Sequence, residues 1–101
     1  MIVYNISLKV SAAINTGWLQ WQKEEHIPEV MASGCFTDYK FFRLLEQDET
    51  DAFTYIVQYT ATSVEDYHKY MDKAAPALRK KAIKKWGDQF IAFRTVMEIV
   101  N

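Results

Sequence analysis

FTDYKFFRLLEQDETDAFTYIVQYTA, residues Phe36 to Ala61, decides how this chain folds. Its flanks, Phe36–Glu46 and Ala52–Ala61, are aromatic-rich and β-branched, the composition of strands. The acidic link Gln47-Asp48-Glu49-Thr50-Asp51 between them has the length of a hairpin connection. Working outward, Met1–Val10 alternates, with Ile2, Tyr4, Ile6, Leu8 and Val10 on one side and Asn5, Ser7 and Lys9 on the other. A period of two predicts a strand there, and Phe90–Val100 predicts the last one.

Helical patterns fill the two gaps. Ser11 or Asn15 is placed to cap a helix that carries Ile14, Trp18, Leu19, Trp21 and Gln22. Pro28 has no N–H and disfavours helix at the residue before it, so a break is expected at Ile27. A short helix would restart at Pro28 and end at Gly34. Beyond the hairpin, Ser63-Val64-Glu65-Asp66 has the form of a capping box, with Asp66 standing for the usual Glu or Gln. Val64, Tyr67, Met71, Ala74 and Leu78 follow at helical spacing until Pro76 breaks the pattern, and Gly87 closes the second segment after Trp86. Each half thus runs strand, capped helix, proline break, short helix, glycine, strand. The order β-α-β-β-α-β predicts an α+β fold: a ferredoxin-like sandwich of four antiparallel strands with helices on one face, a single domain over 1–101.

Composition agrees. Half of the 101 residues are apolar and only three are Gly and two Pro, which excludes disordered and collagen-like classes. One cysteine excludes a disulfide framework and a Cys-rich zinc site. A formal charge of −1 provides no global field for nucleic acid or an anionic membrane. The N-terminus has no basic region followed by an apolar one, and no apolar run approaches a membrane span. The expectation is a cytoplasmic protein without nucleic-acid or membrane partners. Arg79-Lys80-Lys81-Ala82-Ile83-Lys84-Lys85 is read as a solvated helix face whose cations complement the dipole.

The aromatic residues exceed what one sheet face needs. The second strand carries Phe36, Phe42 and Leu44 on one side and Tyr39, Phe41 and Leu45 on the other. Helices cover only one face, so Tyr39, Phe41 and Tyr55 are expected on the second, filling the interface of a face-to-face homodimer or lining a cavity.

The element order, the apolar second face and Trp21-x-x-x-x-His26-Ile27-Pro28-Glu29-Val30 resemble the dimeric α+β barrel superfamily, with its EthD-like, stress-responsive-barrel and antibiotic-biosynthesis-monooxygenase-like domains. More closely, the run from Trp18 through Gly34 and Phe36, then Ala75-Pro76-Ala77-Leu78 and Phe90-Ile91-Ala92-Phe93-Arg94, is similar to a bacterial family of about this length without an assigned function. The resemblance covers essentially the whole chain. It implies a pocket between helices and sheet and leaves the reaction open.

His26 is the one candidate catalytic residue. In EthD-like relatives a histidine before a proline sits near the pocket, where a neutral imidazole can accept a proton from an acidic phenol or ketone without a cofactor. Its structural alternative is a helix C-terminal cap paired with Glu25 or Glu29. Trp18 and Trp21 are candidate pocket walls or plain core; Tyr39, Phe41 and Tyr55 are candidate lining or interface filling. Arg94 either binds an anionic substrate or pairs with an acidic side chain. His68 and Asp72 have the spacing of two metal ligands, but nothing completes a site, and Cys35 has no local base. No cofactor or metal is expected. The leading reading is a homodimer binding a small apolar or aromatic molecule in a helix–sheet cleft. A non-catalytic structural or interaction module is the alternative, and haem binding or degradation through His26 the weaker one.

Overall fold

In the computed structural model, which describes residues Met1 to Asn101, the alternating N-terminal segment forms an interior strand, β1 (Ile2–Ser11). A 3-10 turn (Ala12–Ile14) leads into α1 (Asn15–Trp21), a π-helical turn (Gln22–His26) and α2 (Ile27–Ala32). The hairpin strands are β2 (Asp38–Arg43) and β3 (Ala52–Ala61), and α3 (Val64–Lys73), α4 (Ala75–Trp86) and β4 (Phe90–Glu98) follow. All pairings are antiparallel, in the order β2-β3-β1-β4. This is the ferredoxin-like α+β fold that the sequence predicts. The slab measures 39 × 31 × 19 Å, and no helix is long and apolar enough to cross a membrane.

The register sets the core. Tyr4 lies opposite Tyr59 and Val96, and Leu8 opposite Tyr55 and Ala92. Since side chains alternate, this set shares one face, and the helices cover it. Trp18 of α1 is 1% exposed and stacks on Tyr55 at 5.2 Å between ring centroids. Phe36, just before β2, packs 5.2 Å from Tyr59 and 4.9 Å from Tyr70 of α3. Aromatic rings of this kind each bury on the order of 150–250 Å², so this layer dominates the apolar stabilisation.

That register corrects one expectation. Tyr39 pairs with Tyr59, Phe41 with Val57 and Arg43 with Tyr55, so Tyr39, Phe41 and Tyr55 all stand on the helix-covered face. Trp18 reaches both Phe41, at 6.3 Å, and Tyr55. The second strand is also shorter than Phe36–Glu46, because Phe36 and Thr37 approach it in a bend and Glu46 adopts φ 60°, outside strand geometry. Because Phe36 and Thr37 lie outside the strand, the face that Phe36 takes sets no phase for the side chains of β2. The open face carries Val3, Phe42, Ile56, Ile91, Phe93 and Met97 instead, beside Asn5, Lys9, Lys40 and Gln58.

Helix ends divide likewise. Asp66 donates its N–H to Ser63 Oγ at 3.2 Å, the expected cap of α3. Neither Ser11 nor Asn15 caps α1 through its side chain; Asn15 Oδ1 accepts the hydroxyl of buried Tyr55 at 2.7 Å. Pro76 acts as predicted, with α3 and α4 separated at Ala74, where φ is −114°. Pro28 does not. Ile27 is helical, at φ −58° and ψ −46°, and the chain runs on into α2. The preceding turn widens, so that the N–H of Ile27 donates to the carbonyl of Gln22, five residues back. A proline ring that collides with the carbonyl four residues earlier is accommodated by such an inserted residue.

Candidate functional site

The widened turn builds the site. Trp21 and His26 are five residues apart, which on a regular α-helix would splay them by about 140°. The π turn brings them to one face, where the rings stack at 4.8 Å with 28° between planes. Below them a cleft of about 530 Å³ lies between the helices and the β1–β4 side of the sheet. Tyr4, Ile6 and Leu8 of β1 and Phe90, Ala92 and Arg94 of β4 form its floor. Trp18, Trp21, Gln22 and His26 form one wall; Tyr70 of α3 and Leu78, Arg79, Ala82 and Ile83 of α4 form the other.

His26 is neither cap nor ion-pair partner. The helix continues past it, and Lys81 of α4 engages both neighbouring carboxylates, Glu29 at 2.7 Å and Glu25 at 3.6 Å. Burial, with the Arg94 and Lys81 charges adding to it against Glu29 and Glu25, holds the imidazole at a pKa of about 4. The ring is therefore neutral at neutral pH, with a free lone pair, the state a proton acceptor requires. Its basicity is low, so an acidic substrate proton would suit it best. Arg79 donates from Nη2 to the Tyr4 hydroxyl at 3.0 Å, fixing one phenol on the cleft floor. Burial pushes the Tyr70 phenol up from its ordinary value, chiefly by desolvation, and does the same to Tyr59, whose buried hydroxyl has no hydrogen-bond partner.

Of the residues named from sequence, His26, Trp18, Trp21 and Arg94 border this cleft, whereas Tyr39, Phe41 and Tyr55 do not. Tyr55 and Phe41 pack beneath Trp18 of α1, whereas Tyr39 is largely exposed at the sheet edge. Arg94 forms no ion pair, contrary to the pairing alternative. Tyr4, Gln22, Tyr70 and Arg79 are cleft residues that sequence reasoning missed. A signal for Arg79 was present: it lies on the stripe Ala75, Arg79, Ala82, whose two alanines are buried. The cationic run is no single surface, since Arg79 enters the cleft, Lys81 holds two glutamates and Lys85 lies over the Trp86 ring. No cluster of three metal-ligating side chains exists, and Cys35 is buried.

Residues 1–100 match the family described as a domain of unknown function, DUF4286. The chain belongs to that family. No curated protein matches it. Among solved structures, an EthD-family protein from Bacillus halodurans C-125 superposes with a TM-score of 0.71 at 18% identity, over 99% of this chain and 100% of that one. A candidate antibiotic biosynthesis monooxygenase from Deinococcus radiodurans gives 0.70 at 13% identity, over 100% and 94%. A dimeric ferredoxin-like protein from an uncultured marine organism gives 0.65 at 13%, over 100% and 96%. At identities this low these likenesses show the fold of the DUF4286 chain, a ferredoxin-like α+β fold, and nothing of its role.

Proposed function

We propose that this protein binds a small apolar or aromatic molecule in the helix–sheet cleft, as a homodimer, with His26 positioned to take a proton from it. The observation that carries the reading is the cleft itself: an apolar cavity of about 530 Å³ that reaches a neutral histidine with no partner in the chain. Its volume falls within the roughly 300–1,000 Å³ of small-molecule sites. A filled core with His26 capped toward solvent would have favoured a purely structural module. The monooxygenase-like neighbour makes oxygenation a reasonable class to assay first. Thermal denaturation of the chain against a metabolite set tests the binding claim. Members that bind raise Tm, and the rise shrinks in Trp21→Ala; a set that leaves Tm unmoved overturns the reading.

The dimer rests on the open sheet face and on the dimeric neighbour. Phe93 is 66% exposed and Ile91 55%, on the same face as Phe42 and Met97. Exposed apolar side chains gathered on one sheet face are normally covered, and a second copy related by a two-fold covers both faces at once. Light scattering at micromolar concentration should return twice the chain mass, falling to one chain in Phe93→Lys. A wild-type mass of one chain sinks the dimer.

A further inference from the structure

The cleft is not uniformly apolar, and its polar groups gather at one end. Along the β1–β4 ladder, Tyr4 and Arg94 stand toward one end while Leu8 and Phe90 stand toward the other. Strand rise puts Tyr4 about 13 Å from Leu8. Tyr70 and Arg79 join the first end through α3 and α4, since Arg79 bonds Tyr4 and the Tyr4 and Tyr70 rings lie 5.9 Å apart. Trp18, stacked on Tyr55 opposite Leu8, belongs to the second.

The charge at the polar end is uncompensated. The ion pairs of the chain are Arg43 with Glu49 and Lys81 with Glu25 and Glu29. Arg79 donates only to neutral acceptors, the Tyr4 hydroxyl and, at 3.7 Å, Met71 Sδ. Arg94 has no partner. The one carboxylate on the cleft, Asp88, is exposed and lies beside Gly87 at the opposite, Phe90 end. Gln22, only 3% exposed, borders the cleft and forms no side-chain hydrogen bond within the chain, so its amide can serve as a further polar contact for a ligand.

We infer that the ligand is an aromatic or apolar carboxylate, its carboxylate received by Arg79 and Arg94 and its apolar body lying toward Trp18, Leu8 and Phe90. This rests on the cleft-binding reading above and names the class of molecule. A planar guanidinium matches the two oxygens of a carboxylate, and a single anionic head with an apolar tail fits a cleft that is charged at one end only. The bound anion also offsets the Arg94 charge that faces His26, together with Lys81, Glu25 and Glu29, and so raises the basicity of the imidazole. Carboxylate binding and proton acceptance are thereby coupled.

Isothermal titration of the whole chain with 2-naphthoate and 4-phenylbutyrate, each against its neutral alcohol, 2-naphthalenemethanol or 4-phenylbutanol, tests this. The acids should bind about tenfold or more tightly than the alcohols, the factor of one charge-assisted hydrogen bond. Arg94→Gln should remove most of that preference, because the carboxylate then loses one of its two guanidinium partners while Arg94, exposed and in no ion pair, leaves the fold intact. By NMR, 2-naphthoate should raise the pKa of His26 and the alcohol should not. Equal affinity of acid and alcohol overturns the carboxylate assignment and leaves cleft binding standing, as does an acid preference that survives Arg94→Gln. Failure of all four probes at millimolar concentration overturns both.

Discussion

Pro28 and Pro76 occupy matching places in two similar halves, yet they do opposite things. Pro76 ends a helix: α3 and α4 separate at Ala74. Pro28 is absorbed by a π-helical turn, and the helical path continues. The difference lies in what surrounds each. Buried Trp21 and Gln22 precede Pro28 and buried Ile27 and Val30 flank it, so both sides of the turn are held against the sheet and the chain widens instead of bending away. Ahead of Pro76, Tyr70 and Ala75 are buried but the residues between them are not: Met71 and Ala74 are partly buried, Asp72 and Lys73 face solvent, and the break falls in that stretch, at Ala74. The half that kept its helix acquired the stacked Trp21–His26 pair; the half that broke supplies the opposite wall with Tyr70 and Arg79.

If the first helix is held in place by packing, removing its anchor should have the largest effect. Trp18→Ala is expected to cost about 3–5 kcal/mol, measured by urea unfolding, since a fully buried aromatic leaves a cavity under α1. The second half is closed by backbone geometry instead. Gly87 sits at φ 61° and ψ −133°, a region that side chains avoid, so Gly87→Ala should cost about 1–3 kcal/mol although open space surrounds its Cα.

Protonation of His26 offers a test confined to the first half. The folded pKa of about 4 lies below the ordinary 6.5, so below pH 6.5 the unfolded chain binds the proton first and stability falls as pH drops toward 4. The slope over that window should approach at most about 1.4 kcal/mol per pH unit from this group. His26→Gln should flatten it. A wild-type profile identical to that of His26→Gln would remove the case for a buried neutral imidazole.

The smallest change in stability goes with the sharpest contrast. Pro28→Ala restores an N–H that can close a regular α-turn, with a stability change of about 1 kcal/mol or less. The pKa of His26 should then rise toward its ordinary value as the ring leaves Trp21. Pro76→Ala should leave that pKa where it is. Equal behaviour of the two variants would show that packing alone, without the proline, sets the π turn.

Much of the fold was legible because it rests on local periodicity. The alternation of Met1–Val10, the strand Ala52–Ala61, the Ser63 cap and the breaks at Pro76 and Gly87 each depend on residues within a few positions. The candidate site was legible only in part. His26 and Trp21 stood out by type, but their stacking depends on a turn of irregular pitch that no 3.6-residue template contains. The face taken by Tyr39 and Phe41 is hidden because Phe36 lies outside β2 and sets no phase for it, and that of Tyr55 because it depends on pairing with Leu8, 47 positions away. Arg79 was hidden in a run of cations, each of which looked equally solvated.

By itself, then, the sequence determined the order of elements, the ferredoxin-like sandwich and the excess of apolar surface, since alternation, capping and glycine placement act over short distances. Tertiary structure decided which face each aromatic took, how Pro28 was accommodated and which charges remained unpaired in the cleft. Those outcomes depend on register and on side chains up to 75 positions apart, as in the Arg79–Tyr4 hydrogen bond, and no local pattern encodes them.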